Sequence, residues 1–262
     1  MENKSKELEV AIHAALEAGK ILEKHFETDI LKVEKEDKSI VTLADKESEE
    51  VIKKIILEAF PDHSILGEET GLTQNQNEYI WQVDPIDGTR NFSNGIPLFA
   101  VSIALLKNDE LYVGVIYNPA TRSLFYAEKN KGAFLNDKRI FVSKDNYERA
   151  IISSGKGRKS EDRELCRELI YLLPKKLAGL TVRDFGSTAL DLAYVACGAT
   201  EADLKCGLNI YDISAGFLLV LEAGGVITNF DGGPWKLSDK YFLVSNGIFH
   251  SVLVEEIKKI SV

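Results

Sequence analysis

Apolar residues recur at helical spacing in the first part of the chain. The residues that would share the apolar face of a long first helix are Leu8, Ala11, Ile12, Ala15, Gly19, Leu22 and Phe26. A polar stretch extends from there to about residue 39. A similar apolar pattern then predicts a second helix over residues 45–60, which Asp45 caps and Pro61 ends.

The following segments contain the short apolar runs that are typical of strands. Residues 64–67 and 79–83 are predicted as short buried strands. The GLTQNQNE stretch between them, residues 71–78, is polar and begins with glycine, so we expect a mobile surface loop. From residue 98 to 141 the pattern predicts further strands, and a Lys-Asn-Asp-Glu turn at 107–110 indicates a β-hairpin.

A polar stretch at residues 143–149 separates this strand-rich part from one in which helices and strands alternate. We therefore predict an N-terminal subdomain over residues 1–142 and a C-terminal subdomain over residues 143–262. The elements predicted in the second part are a helix over 161–173, a helix capped by Ser187 and stopped by Gly198, a helix capped by Asp212 and ended at Gly224, strands over 226–228 and 241–244, and a closing helix over 248–260.

Composition and charge limit the classes of function. The chain has 262 residues, of which 45% are hydrophobic and 28% charged, enough for a substantial core. Its net charge of -9 makes direct binding to nucleic acid or an anionic membrane unfavourable. The three cysteines, Cys166, Cys197 and Cys206, form no C-x-x-C motif, so we expect no disulfide framework and a reducing, cytoplasmic setting. The first residues lack the apolar core of a signal peptide, so we expect none, and no apolar run approaches the length needed to span a membrane.

The segment WQVDPIDGTRNF, residues 81–92, carries the strongest chemical signal. Pro85 favours an extended Asp84 at a strand end, with Asp87 in the turn beyond it. Both carboxylates could converge on one point, with the Ile86 carbonyl between them. Gly88 permits a tight turn, and Thr89 could begin a helix whose N–H groups bind an anion. The segment can thus hold a cation beside a phosphate, although Asp, Pro and Gly are also ordinary turn residues.

Other carboxylates strengthen the interpretation as a metal site. Glu68 follows an apolar strand and Asp212 precedes a helix; each also fits a plain structural role, as a solvated side chain or an N-cap. Together with Asp84 and Asp87 they would carry a charge of about -4, which two Mg²⁺ ions would neutralise. An aspartyl nucleophile is disfavoured, because phosphatases of that class place their carboxylates two residues apart and here the spacing is three. We therefore expect a metal-activated water as the attacking group.

Taken together, the motifs resemble those of the inositol monophosphatase family, Mg²⁺-dependent and lithium-sensitive phosphatases. The resemblance extends over essentially the whole chain. It depends on five segments in order, which are VTLAD (41–45), ILGEET (65–70), WQVDPIDGTRNF (81–92), FGSTALDLAYVACG (185–198) and YDISAG…EAGG (211–225). It implies a mixed α/β (α+β) fold, a layered α-β-α-β-α sandwich of the inositol monophosphatase and fructose-1,6-bisphosphatase type, usually assembled as a homodimer.

The resemblance also implies a role for each matched residue. The implied metal ligands, for two to three Mg²⁺ ions, are Glu68, Asp84, the Ile86 carbonyl, Asp87 and Asp212. Thr89 matches the threonine that orients the attacking water with Glu68. Asp45 matches an aspartate that contacts a third, weaker metal through water, and Glu69 matches a supporting position. The implied substrate and phosphate contacts are Ile86, Asp87, Gly88, Thr89, Gly186, Ser187, Thr188 and Asp212.

One position departs from the inositol-specific pattern. Many such members carry a glutamate seven residues before the last metal aspartate, where it bonds the inositol ring, whereas this chain has Lys205. A lysine on a strand is normally a solvated surface residue. If Lys205 instead faces the pocket, its positive charge favours a second phosphate, and we would expect relaxed specificity that includes bisphosphorylated sugars.

The sequence therefore predicts a Mg²⁺-dependent phosphomonoesterase acting on inositol monophosphate or a related small sugar phosphate. Two enzymatic alternatives remain open, a dual inositol monophosphatase/fructose-1,6-bisphosphatase and a phosphatase of 3′-phosphoadenosine 5′-phosphate. A third alternative is a catalytically idle interaction partner of the same fold, since some relatives bind transcription machinery. The expected partners are a small-molecule phosphate ester and a second copy of the chain, with no nucleic acid and no membrane.

Overall fold

A computed structural model describes residues 4–26, 32–34, 40–73, 78–155, 159–236 and 238–260. Within these ranges the larger sheet has eight strands in the order β10-β9-β8-β7-β6-β5-β3-β4, and a separate two-stranded ladder pairs β1 with β2. The strands of this sheet and of the ladder are β1 Lys32–Glu34, β2 Ile40–Thr42, β3 Ser64–Gly67, β4 Gly71–Thr73, β5 Tyr79–Asp87, β6 Ala100–Lys107, β7 Glu110–Asn118, β8 Ser123–Glu128, β9 Gly132–Leu135 and β10 Lys138–Ile140.

The smaller sheet is built from the second half of the chain. Its strands in the described residues lie in the order β12-β11-β13-β15-β14, and β11 pairs in parallel with both of its neighbours. Their bounds are β11 Ile151–Ser154, β12 Thr181–Arg183, β13 Ala202–Cys206, β14 Val226–Asn229 and β15 Tyr241–Ser245. The sequence pattern did not predict β11 and β12.

Helices cover both sheets and separate them. Their bounds in the described residues are α1 Lys6–His25, α2 Leu43–Ala59, α3 Thr89–Ser93, α4 Ser160–Lys176, α5 Thr188–Ala196, α6 Ile210–Glu222 and α7 His250–Ile260. The pair α1 and α2 packs on one face of the larger sheet, and α6 packs on the other. The α5 helix joins α6 between the sheets, and α4 and α7 cover the outer face of the smaller sheet. The expected α-β-α-β-α layering is therefore confirmed.

Several predicted elements are confirmed with small changes at their ends. The first helix, the strand at 64–67 and the hairpin turn at Asn108 and Asp109 are present as expected. Ser187 caps α5, because its hydroxyl accepts a hydrogen bond from the Leu190 N–H. The closing helix begins at His250, two residues later than predicted. The division into subdomains at residues 142 and 143 stays a prediction.

Four predictions about local structure are wrong. Asp45 does not cap α2, since the helix already begins at Leu43. Asp212 is not the N-cap of α6 but its third residue, and its side chain accepts the N–H of the N-cap Asn209 in a capping box. The strand expected to end near Asp84 continues as far as Asp87. The loop expected at 71–78 begins with the edge strand β4, and residues 74–77 lie outside the described part of the chain.

Candidate active site

The parallel pairing of β3 with β5 brings Glu68 and Asp84 to the same place. The ladder ends where Gly67 pairs with Val83, and the Glu68 N–H donates to the Val83 carbonyl at 3.0 Å. Each acidic residue directly follows the last paired position. The two carboxyl groups are close enough for the charge of Glu68 to raise the pKa of Asp84. Two carboxyl groups that are sixteen positions apart in the sequence therefore form one cluster.

An irregularity in β5 adds Asp87 to this cluster. Asp84 lies opposite Ser102 and Asp87 lies opposite Ala100, so β5 contains one extra residue over this interval. Pro85 has no N–H to donate to the ladder. The Ile86 N–H instead donates to Asp84 Oδ1 at 3.0 Å. A bulge of this kind redirects side chains, and here it leaves Asp84 and Asp87 within electrostatic range of each other.

The carboxylate of Asp87 also holds the start of α5. Its Oδ2 accepts hydrogen bonds from the Ser187 hydroxyl and from the Ala189 N–H, the latter at 2.8 Å. Asp87 is thereby fixed by groups one hundred residues further along the chain. The contact places the segment Gly186–Ser187–Thr188 beside the acidic cluster.

The loop after β5 and the segment before α5 can approach each other closely because residue 88 is a glycine. Its φ is +90°, and a Cβ there would lie 2.9 Å from the Leu98 carbonyl oxygen and 3.2 Å from Ser187 Cβ. Asn91, one turn into α3, fastens the same junction, because its Nδ2 donates to the carbonyls of Leu98 and Phe185, each at 2.7 Å. The Thr89 hydroxyl donates to the Ile86 carbonyl at 3.0 Å.

Asp212 completes the group from the first turn of α6. Its Oδ2 accepts the Asn209 N–H at 2.8 Å, so the side chain folds back over the start of the helix. The residue is buried, and its charge acts on Asp84. The sequence interpretation correctly placed Asp212 at the beginning of α6. The N-cap, however, is Asn209, and Asp212 lies three residues further on, in the first turn.

Buried negative charge dominates the electrostatics of the acidic cluster. Burial raises the pKa of Asp84 well above its ordinary value, and the neighbouring carboxylates of Glu68, Asp87 and Asp212 raise it further. Buried carboxylates that lie this close together favour a positive charge beside them, and the Lys205 ammonium already acts on Asp87, where it lowers a pKa that burial raises. Carboxylate and carbonyl oxygens are the ligands that Mg²⁺ prefers.

The oxygen donors are of the chemical type that a divalent cation binds. In the described residues, however, no group of three or more His, Cys, Asp or Glu side chains is arranged so that it could hold a metal ion. Oxygens of Asp84, Asp87 and Asp212 are instead engaged with protein N–H or O–H groups.

Most of the site residues expected from the sequence meet at this junction. Asp45 is buried in the first turn of α2, and Glu69 lies next to Glu68 in the loop after β3. The cluster and the loops around it contain Glu68, Asp84, Ile86, Asp87, Gly88, Thr89, Gly186, Ser187, Thr188 and Asp212. Their individual roles as ligands and substrate contacts stay predictions.

For Lys205 the sequence left two surroundings open, a solvated surface and the pocket, and in the structure its charge acts on Asp87 of the cluster. It is 0% exposed, so it is not a solvated surface residue. Its Nζ lies 2.5 Å from Asp191 Oδ2 and 3.0 Å from Asp203 Oδ2. Burial alone would lower the pKa of Lys205, but the two carboxylates outweigh it and raise the pKa. The ammonium is thus committed to internal partners, and the structure gives no support for direct contact with a substrate phosphate.

Sequence reasoning missed the partners of Lys205. Asp191 lies in the apolar helix α5, and Asp203 lies in β13, where the Ser153 hydroxyl donates to its Oδ1 at 2.9 Å. Burial raises the pKa of Asp191 despite the nearby Lys205 ammonium, and the charge of Asp203 raises it further. Charged residues within otherwise buried elements were the available signal in the sequence.

A layered fold with acidic side chains gathered at strand ends is that of the phosphatases related to inositol monophosphatase. A profile of the inositol monophosphatase family matches residues 3–261. The chain therefore belongs to the inositol monophosphatase family, and this membership supports phosphatase activity.

Individual relatives agree with this assignment. A fructose-1,6-bisphosphatase/inositol-1-monophosphatase of Aquifex aeolicus is 37% identical over 99% of this chain and 98% of its own. A Nus factor SuhB of Pasteurella multocida is 37% identical over 91% of this chain and 90% of its own. The solved structure of extragenic suppressor protein SuhB from Bartonella henselae matches with a TM-score of 0.92 at 34% identity, covering 97% of this chain and 99% of that chain. Among the described residues, no helix is long and apolar enough to cross a membrane.

Proposed function

We propose that the protein is a Mg²⁺-dependent phosphomonoesterase that hydrolyses inositol monophosphate or a related small sugar phosphate. The observation that carries this proposal is the convergence of Glu68, Asp87 and Asp212 on Asp84, where burial, and then the three neighbouring carboxylates, raise the pKa of Asp84. Two or three bound Mg²⁺ would balance this charge, lower the pKa of a water and stabilise the attacking and leaving oxygens. Glu68, Asp84, the Ile86 carbonyl, Asp87 and Asp212 would hold the ions.

The protein groups around the cluster have defined tasks in this proposal. The Thr89 hydroxyl donates a hydrogen bond to the Ile86 carbonyl, so the Thr89 hydroxyl oxygen can accept a hydrogen bond from water. Glu68, with a carboxylate beside Asp84, would orient the same water and take its proton. The N–H groups of Gly88 and Thr89 would bind phosphate oxygens. Gly186, Ser187 and Thr188 would line the hydroxyl side of the substrate, since Asp87 holds them against the cluster.

The choice of substrate is open among inositol monophosphate, fructose-1,6-bisphosphate and 3′-phosphoadenosine 5′-phosphate. The Aquifex aeolicus relative carries both fructose-1,6-bisphosphatase and inositol-1-monophosphatase in its name, which favours dual specificity here. The buried ion pairs of Lys205 remove the separate argument that this lysine attracts a second phosphate. A panel of inositol-1-phosphate, fructose-1,6-bisphosphate and 3′-phosphoadenosine 5′-phosphate, each with Mg²⁺, would decide between these substrates.

The test of the catalytic site is Asp87→Asn. The asparagine keeps an oxygen that can accept the Ala189 N–H, but it removes one negative charge. Loss of several kcal/mol of transition-state stabilisation corresponds to a fall in kcat on the order of hundredfold or more. The matched control is Asp62→Asn, an exposed position outside the cluster. EDTA should abolish hydrolysis by the wild type, and added Mg²⁺ should restore it. Near-wild-type turnover of Asp87→Asn at saturating Mg²⁺ would contradict the assignment.

A second candidate function follows from the relative named Nus factor SuhB. In that case the protein would act as an interaction partner and hydrolyse no phosphate ester. Hydrolysis of any substrate in the panel, dependent on Mg²⁺ and lost in Asp87→Asn, would separate the two candidates. Inhibition by Li⁺, assembly as a homodimer and a cytoplasmic setting are further parts of the proposal, and lithium titration and light scattering would test the first two.

A further inference from the structure

The loop that carries Glu68 is a short hairpin at the edge of the larger sheet. Residues 68–70 connect β3 to the three-residue strand β4, and the ladder closes where Gly67 pairs with Gly71. Leu72 and Thr73 are exposed, so this edge strand buries little of its own surface. A hairpin of this size needs outside contacts to hold a single conformation.

Glu49 of α2 supplies those contacts. Its Oε2 accepts the Glu69 N–H at 2.8 Å, and its Oε1 accepts the Thr70 N–H at 3.1 Å. The Thr70 hydroxyl donates to the same Oε1. Both residues that follow Glu68 are therefore bound to one carboxylate, while the Glu68 N–H is bound to the Val83 carbonyl.

The fit between Glu49 and the loop is close, and the carboxylate is buried. Glu49 is 0% exposed, and a Cβ on Gly67 would lie 2.8 Å from Glu49 Oε2. Gly67 thus leaves room for the carboxylate beneath the hairpin. A buried carboxylate that accepts several hydrogen bonds holds its partners more firmly than a neutral acceptor would.

The same face of α2 reaches the loop at more than one level. Asp45, one turn before Glu49, is buried, and Lys53, one turn after it, donates from Nζ to Thr70 Oγ1 at 2.9 Å. Residues spaced by four positions lie above one another on a helix. Glu49 and Lys53 therefore contact the 68–70 loop from successive turns of the helix.

We propose that Glu49 is a positioning residue that holds the Glu68 loop in the geometry required for divalent cation binding. The inference rests on the proposed function, because it concerns the same metal site. Glu49 would not touch the metal or the substrate. It would set the direction of the Glu68 side chain by fixing the backbone on its C-terminal side. Residues that orient metal ligands in this way commonly change metal affinity or activity by 10- to 100-fold when replaced.

Glu49→Gln tests this role with little change in shape. The amide can accept only through one oxygen, so one of the two N–H groups would face an NH₂ group. We expect Mn²⁺ binding, followed by electron paramagnetic resonance of the free ion, to weaken by about 10- to 100-fold. The Mg²⁺-dependent increase in Tm should shrink accordingly, since that increase follows the ratio of metal concentration to Kd.

Three further variants keep the test independent of folding defects. Thr70→Val removes the hydroxyl bond and should weaken Mn²⁺ binding in the same direction, whereas Thr70→Ser keeps a hydroxyl and should behave as wild type. Glu50→Gln makes the same chemical change at an exposed position of α2 and should also behave as wild type. A purely structural role would lower Tm equally with and without metal.

The outcomes separate the two proposals. If the wild type binds Mn²⁺ and hydrolyses phosphate esters while Glu49→Gln and Thr70→Val bind Mn²⁺ as tightly as the wild type, the positioning role is overturned and the phosphatase assignment stands. If the wild type neither binds Mn²⁺ nor hydrolyses any substrate, the metal site itself is refuted, and the role of Glu49 falls with it. Weaker metal binding in Glu49→Gln and Thr70→Val, but not in Thr70→Ser, supports the inference.

Discussion

Replacing Lys205 with methionine should destabilise the protein strongly. Lys205 is 0% exposed and lies between Asp191 Oδ2 at 2.5 Å and Asp203 Oδ2 at 3.0 Å. Methionine keeps an unbranched apolar chain but leaves both carboxylates without their cation. Removing one partner of a buried ion pair costs about 3–5 kcal/mol of unfolding free energy. At about 2–4 °C per kcal/mol for chains of roughly this size, Tm should fall by roughly 6–20 °C.

The pH dependence of this loss distinguishes charge from packing. Without the ammonium, burial leaves the pKa values of Asp191 and Asp203 even further above those of the unfolded chain. The folded variant then binds more protons than the unfolded one, so its stability is highest at low pH and is lost as pH rises through the folded-state pKa values. Lys205→Met should therefore be closer to wild type at about pH 5 than at about pH 8.

Thermal unfolding followed by circular dichroism at both pH values measures this effect. Lys54→Met is the matched control, because the Lys54 side chain is 73% exposed on α2. The double variant Lys205→Met with Asp203→Asn removes one surplus charge and should recover part of the loss. A Tm for Lys205→Met within about 2 °C of wild type at pH 8, or an equal loss at both pH values, would refute the reasoning. Lys205→Glu should be worse than Lys205→Met, since it adds a third buried carboxylate.

Three further outcomes are expected. Gly88→Ala should lower Tm and kcat more than Gly224→Ala, because both have φ near +90° but a Cβ clashes only at position 88; equal effects would contradict the close packing. Burial lowers the pKa of His250, so the unfolded chain binds more protons and stability should fall as pH drops below about 6.5. This fall should be shallower in His250→Asn. Asn91→Ala should raise KM, measured by steady-state kinetics, because the Phe185 carbonyl loses its bond to α3; an unchanged KM would show that this bond does not shape the pocket.

Local sequence determined the elements that depend on near neighbours. The apolar spacing of α1, the run of β3 and the Asn-Asp turn between β6 and β7 need no distant contact to be recognised. The acidic positions of the site were also readable from the chain, because the DPIDGT segment combines a proline-restricted strand end with two carboxylates. Their spacing indicated a cation, and the clustering around Asp84 agrees with that interpretation.

The first residue of a helix was less predictable, because a residue of a type that favours the N-cap can also lie within the first turn. Asp45 and Asp212 are good N-cap residues by type, yet the structure places each within a first turn. Local propensity is worth about 1 kcal/mol at such a position, and burial of a whole helix face outweighs it. Strands β11 and β12 were missed because parallel pairing joins segments that are far apart in the chain.

Only the tertiary structure decided the surroundings of Lys205 and Glu49. The sequence shows a lysine in a short strand and a glutamate in an amphipathic helix, and both types are usually exposed. The partners of Lys205 lie in α5 and β13, and those of Glu49 lie in the loop after β3. A charge can be buried only where opposite charges or hydrogen-bond donors converge from several elements, and this convergence is a property of the packed layers, because each element supplies only part of it.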